Sequence, residues 1–194
     1  MYRLESTDAL IVVDPQNDFL PGGALAVADG LRVFPPINRI APHFAHVFAT
    51  RDWHPENHDS FAAQGGPWPV HCVAGSAGAQ FHPQLKVEHV DGIVDTGVAR
   101  DAPGYSGFEY TDLAERLQRA GAKRVFVCGL ATDYCVKETV LGALDHGFQT
   151  FLLTDAIAAV DATPGDGAAA IVEMQRRGAT TIASGDLDIK GNAA

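Results

Sequence analysis

The chain has 194 residues, 46% of them hydrophobic and 20% charged, a composition suited to a single domain spanning 1–194 with a sizeable core and unlike that of a disordered chain. The 14 Lys and Arg against 24 Asp and Glu leave a net charge of −10, which excludes nucleic acid as an expected partner because a phosphate backbone needs clustered cations. Unbroken apolar stretches such as Ala9 to Val13 are only a handful of residues long, too short to span a bilayer, and the N-terminal MYRLESTD lacks an apolar signal core.

Six short apolar runs recur along the chain: ALIVV (9–13), HVFAT (46–50), DGIVD (91–95), RVFVC (124–128), QTFLL (149–153) and TTIAS (180–184). They are rich in Val, Ile, Phe and Thr, and their apolar character is near-continuous. Both features predict parallel strands covered on two faces. Helical patterns lie between several of them. TDLAERLQRAGA (111–122) sets Leu113, Leu117 and Ala120 on one face and stops near Gly121. TDYCVKETVLGALDHG (132–147) opens with a Thr or Asp cap and ends at glycine. TPGDGAAAIVEMQRRG (163–178) has Pro164 near its start and Gly178 at its end. The alternation predicts an α/β fold, three layers deep, around a mainly parallel six-stranded sheet of Rossmann-like type. Working residues then belong at the carboxyl ends of the strands.

Asp14 ends the first strand, Asp52 follows the second, and Cys135 opens the helix after the fourth. Asp52 and His54 are two apart on an extended segment, so their side chains project to the same side. His58 follows, and His71 closes the group after a Gly-, Pro- and Trp-rich loop. One carboxylate with imidazoles is a donor set for one divalent metal ion, Zn²⁺ or Fe²⁺, with Mn²⁺ also suited. The plain alternative is a set of solvated loop histidines, since His43, His46, His82, His89 and His146 show no such grouping. Cys135 sits where a helix N-terminus favours a thiolate and offers N–H groups to an oxyanion. Its alternative is a small buried hydrophobe, which is the reading of Cys128 in mid-strand and of Cys72. Asp14 is placed to take the thiol proton, or else to cap a turn. Three cysteines are too few and too odd for a disulfide scaffold and fit a reducing, cytoplasmic setting.

The stretches ALIVVDPQNDFLPGGAL, ATRDWHPENHDSF, GGPWPVHCVAGSAGAQFHP, YSGFEYTDLAERL and VFVCGLATDYCVKETVLGALDHGF resemble the nicotinamidase/pyrazinamidase branch of the isochorismatase-like cysteine hydrolases. The resemblance implies a metal-dependent amidohydrolase that converts nicotinamide to nicotinate and ammonia through a cysteine thioester. Its partner would be a small pyridine carboxamide, and a homo-oligomer is compatible with it. Asp14 would be the acid/base and Cys135 the nucleophile. Asp52, His54 and His71 would hold the metal, with His58 an extra ligand or a support behind them. Leu130–Ala131 would be a cis peptide, and Ala131 and Cys135 would donate N–H groups to the oxyanion. Phe19, Trp68, Tyr105, Leu130 and Tyr134 would line the ring pocket. The chain departs from the family at one catalytic place: Thr96 stands ten residues before Ser106, where the family has a lysine. Arg100, four residues on, is the only nearby cation that could replace it. The departure leaves two other readings open. One is a hydrolase of a different small amide such as an N-carbamoyl compound, and the other is a catalytically silent metal or ligand binder.

Overall fold

The structure is a computed structural model in which residues 1–189 are described. Among these described residues there are eight strands, β1 (Tyr2–Arg3), β2 (Asp8–Val13), β3 (His46–Asp52), β4 (Gly92–Thr96), β5 (Arg124–Leu130), β6 (Gln149–Ala158), β7 (Thr180–Ile182) and β8 (Leu187–Asp188). The main sheet has the order β4-β3-β2-β5-β6-β7, and every neighbouring pair in it is parallel. All six predicted strands are present. β6 runs five residues past the predicted Leu153, and β7 stops at Ile182. β1 and β8, unforeseen, form a small parallel pair of their own.

Period-2 side-chain direction divides the core in two. Leu10 and Val12 of β2 join Phe126, Phe151 and Ile37 on one face of the sheet. Ala9, Ile11 and Val13 join Val125, Leu113 and Val140 on the other. Central strands are buried on both faces, which is why their sequences are continuously apolar. β4 and β7 lie at the edges and are only partly buried.

The second face carries α2 (Leu113–Arg119), α3 (Lys137–Asp145) and α4 (Asp166–Arg177), near the three predicted spans. The first face carries α1 (Phe34–Ile40), which the sequence reading missed. Its Pro35 and Pro36 fall in the first turn, where proline removes no helical hydrogen bond and presets φ. The cap expected from Thr132 or Asp133 is absent. Asp133 instead accepts the N–H groups of Val160 and Asp161 at 2.9 Å each, pinning the loop after β6. Thr132–Val136 forms one wide π-type turn before α3 proper, closed by Val136 N–H to Ala131 O at 3.0 Å.

The chain crosses from β2 to β3 on one side and returns through β5 on the other. The strand order therefore reverses between β2 and β5, and a crevice opens at their carboxyl ends. Asp14 follows β2, and Cys135 follows β5.

Candidate active site

Asp14, Asp52 and Cys135 are all buried and bring one carboxylate oxygen each and the Sγ within 4.8 Å of one another. Asp14 adopts φ 45°, a left-handed turn that swings its carboxylate back over the strand end. Thr50 Oγ1 donates to Asp14 Oδ1 at 2.6 Å and accepts the Asp14 N–H at 3.2 Å. Burial, followed by the charge of Asp52, pushes the Asp14 pKa up to about 8. Burial and the neighbouring Asp14 likewise raise the Cys135 thiol well above its usual value. Among the described residues, no Lys or Arg is a main influence on either group, and the charge of His54 alone favours the Asp14 carboxylate.

The second cluster is Asp52, His54 and His71, with ligand atoms again within 4.8 Å and all three residues buried. His54 donates from Nδ1 to Gly97 O at 3.0 Å, and His71 from Nδ1 to Pro69 O at 2.8 Å. A carbonyl can only accept, so both Nδ1 atoms carry the hydrogen. Each Nε2 is then left to face Asp52 Oδ2, at 3.2 Å for His54 and 3.7 Å for His71. Two imidazole lone pairs and a carboxylate oxygen converging in a buried place require a proton or a cation between them. That donor set and its tautomers fit a divalent metal. Without a metal, the protonated imidazole is the substitute. Burial lowers the His54 pKa, but the hydrogen bond and charge of Asp52 outweigh it and the net shift is upward. Burial likewise acts to raise Asp52, and hydrogen bonds from both histidines bring it down to about 2.

His58 stands outside this cluster. Its Nε2 donates to Ala102 O at 2.8 Å, its Nδ1 meets Ser60 Oγ at 2.7 Å, and its ring stacks on His54 at 4.0 Å. It supports the His54 ring and has no free nitrogen for a metal. Gly97 (φ 59°) closes the other side, where a Cβ would fall 2.3 Å from His54 Cε1.

A cavity of about 290 Å³ connects the two clusters. Cys135, Asp52 and His71 reach its floor. Phe19, Trp68, Tyr105 and Tyr134, the residues the resemblance pointed to, form its aromatic wall, and Ala131 borders it. Trp68 Nε1 donates to Tyr105 Oη at 2.7 Å, and both rings pack against Tyr134. The Leu130–Ala131 peptide is cis.

Three expectations need correction. The Leu130 side chain is fully buried in the core and does not line the cavity. Arg100 cannot stand in for a catalytic lysine, because its exposed guanidinium is paired with Asp59 at 2.7 Å. Thr96, the last residue of β4, turns its hydroxyl to Asp52 Oδ1 (3.0 Å) and Arg51 O (3.2 Å). It serves the Asp52 cluster and, being neutral, brings no charge to the acid and thiol.

The sequence reading also missed the wall formed by Ala24 to Ala26 and by Val160. Asp18 fixes this wall, accepting the Ala24 N–H at 3.3 Å and the N–H of Cys72, next to His71, at 2.7 Å. Gln16 was missed too, although it is completely buried beside Asp52. No residue-type signal marks a glutamine after proline as buried.

A family model described as the isochorismatase domain matches residues 8–186. The chain belongs to the isochorismatase family. Among family members, the nicotinamidase of Escherichia coli (strain K12) is 38% identical over 205 residues, covering 93% of this chain and 96% of that one. The crystal structure of PnC1 from L. infantum in complex with nicotinate superposes with a TM-score of 0.92 at 42% identity, covering 96% of this chain and 98% of that chain. The pyrazinamidase of Pyrococcus horikoshii, solved in complex with zinc, gives 0.85 at 48% identity, covering 91% and 99%.

Proposed function

We propose that this isochorismatase-family protein is an amidohydrolase that converts nicotinamide to nicotinate and ammonia. The observation that carries the proposal is the buried Cys135 sulfur, grouped with the Asp14 and Asp52 carboxylates and lining, with Asp52 and His71, an aromatic-walled cavity. Nicotinamide-cleaving relatives of similar length support it.

Asp52, His54 and His71 would hold the divalent metal, Zn²⁺ or Fe²⁺ by donor type, with Mn²⁺ also suited. When bound, the metal supplies positive charge and a Lewis-acid contact for the pyridine nitrogen. Phe19, Trp68 and Tyr105 hold the ring so that the carboxamide carbon faces Cys135. Asp14 takes the thiol proton, and Sγ forms a bond to the carbonyl carbon. The oxyanion is received by the N–H groups of Ala131 and Cys135. As the tetrahedral species collapses, the C–N bond breaks and Asp14 returns its proton to the departing nitrogen, giving ammonia. Asp14 then deprotonates water, which attacks the thioester carbon. The C–S bond breaks, nicotinate leaves, and Cys135 recovers its proton from Asp14.

A raised Asp14 pKa makes a stronger base but leaves less of it ionised near neutrality. The hydrogen bonds of Thr50 and Cys135 and the charge of His54 only partly offset this, and Thr96 supplies no ammonium, so the reaction runs slowly for the family. Ammonia release from nicotinamide by the zinc-loaded chain tests the proposal. Turnover that disappears in Cys135→Ala supports it, and turnover unaffected by that substitution refutes it.

A further inference from the structure

Gln16 is fully buried, and its side-chain amide is completely used. Nε2 donates to Asp52 O at 2.7 Å and to Ala79 O at 2.9 Å, while Oε1 accepts the Asp52 N–H at 2.8 Å. One amide therefore grips both backbone polar groups of a single residue across the gap between the ends of β2 and β3. Asp52 has no freedom left in its backbone. Its side chain is held as well, because Thr96 Oγ1 lies 3.0 Å from Oδ1 and Oδ2 faces the two imidazoles.

We propose that Gln16 and Thr96 are positioning residues that lock Asp52 in its metal-ligating geometry, Gln16 through the backbone and Thr96 through the carboxylate. Thr96 is then more than a lost lysine: its hydroxyl strengthens the metal corner. The inference rests on the reading of Asp52, His54 and His71 as a metal site. Partners that orient a ligand typically change metal affinity by about 10- to 100-fold when removed. A β-branched threonine at a buried strand end tolerates valine in shape, so the hydroxyl can be deleted without opening a cavity.

The test measures zinc affinity by competition with a chromophoric chelator, alongside the melting temperature of the metal-free protein. Thr96→Val should weaken zinc binding about 10-fold with little change in the metal-free melt, and Thr96→Ser, which keeps the hydroxyl, should restore affinity to within about twofold. Gln16→Glu keeps the acceptor and loses both donated bonds, and should weaken zinc by up to about 100-fold. Should that variant fail to fold, Gln16→Met, of similar length and without the donated bonds, is measured in its place, and native zinc affinity there would overturn the role of Gln16. Zinc affinity unchanged in Thr96→Val, or equal losses in Thr96→Ser and Thr96→Val, would overturn the role given to Thr96. A folded Gln16→Glu with native zinc affinity would overturn that of Gln16. Failure of the underlying reading has a separate signature, in that Asp52→Ala and His71→Ala would then still bind zinc as the parent does.

Discussion

The two corners of the cavity are built to different standards. Around Asp52, every polar atom has a dedicated partner: Gln16 on the backbone, Thr96 on one oxygen, two oriented imidazoles on the other. Around Asp14 and Cys135, Thr50 and the thiol itself support the carboxylate, and two groups that must carry negative charge in turn share a buried space in which, among the described residues, no Lys or Arg acts and only the charge of His54 favours the Asp14 anion. On the proposed function, this contrast makes binding and chemistry separable. The first corner then serves to hold metal and ring, and the second cleaves the bond without the lysine that the resemblance leads one to expect.

The largest effect that can break this division is on the nucleophile. Cys135→Ala should lower nicotinamide turnover by about 10⁴-fold or more while leaving zinc affinity unchanged. A parallel loss of zinc would show that the corners are one unit. Chelation makes the reverse cut. The metal-free chain should lose nicotinate binding, seen by calorimetry, yet melt cooperatively, because the two core clusters lie outside the metal loop. Restoring zinc at about 1,000 times its dissociation constant should add about 4 kcal/mol of stability. Unfolding on chelation would mean that the metal is structural.

Thr96→Lys sharpens the comparison by supplying the absent cation. It should raise kcat about 10²- to 10³-fold. It should also move the acid limb of the pH–rate profile downward, since a nearby ammonium favours the Asp14 carboxylate. Trp68→Ala tests the wall shared by the two corners. Loss of the ring and of its bond to Tyr105 should raise KM by about 3- to 10-fold with a smaller change in kcat.

A separate test of the acid corner is stability against pH in the metal-free protein. The folded-state pKa of Asp14 is raised from 3.8 to about 8. Between those values the native state holds a proton that the unfolded chain has released, so this group's contribution is present below about pH 4 and is lost as pH rises through about 8. Asp52 is lowered to about 2, so its contribution is lost only as pH falls from about 4 towards 2. Urea denaturation at pH 5, 7 and 9 should show the parent losing stability with rising pH relative to Asp14→Asn. Identical slopes would contradict the raised pKa.

Much of this architecture was legible from residues because burial on both faces leaves a continuous apolar imprint, as in Ala9–Val13 and Arg124–Cys128. Asp14, Asp52, His54, His71 and Cys135 were legible because such groups are rarely placed together at strand ends without being used. What stayed hidden was the direction of individual polar atoms. The carboxylate of Asp133 was expected to cap its own helix and instead holds the loop at Val160. Arg100 lies near Thr96 in sequence, yet a surface carboxylate at Asp59 claims it. Gln16 carries no charge and no metal-ligand chemistry, so only coordinates reveal that it grips Asp52. In the same way, the placement of the Thr96 hydroxyl on Asp52 depends on the β3–β4 register that sets the two side by side.

Ammonia release from nicotinamide, compared between the zinc-loaded chain and its Thr96→Lys variant at matched pH, tests the central claim most directly. Slow turnover by the parent and a gain of at least about 100-fold in the variant are expected. No turnover by either protein, or a variant no faster than its parent, would contradict the account.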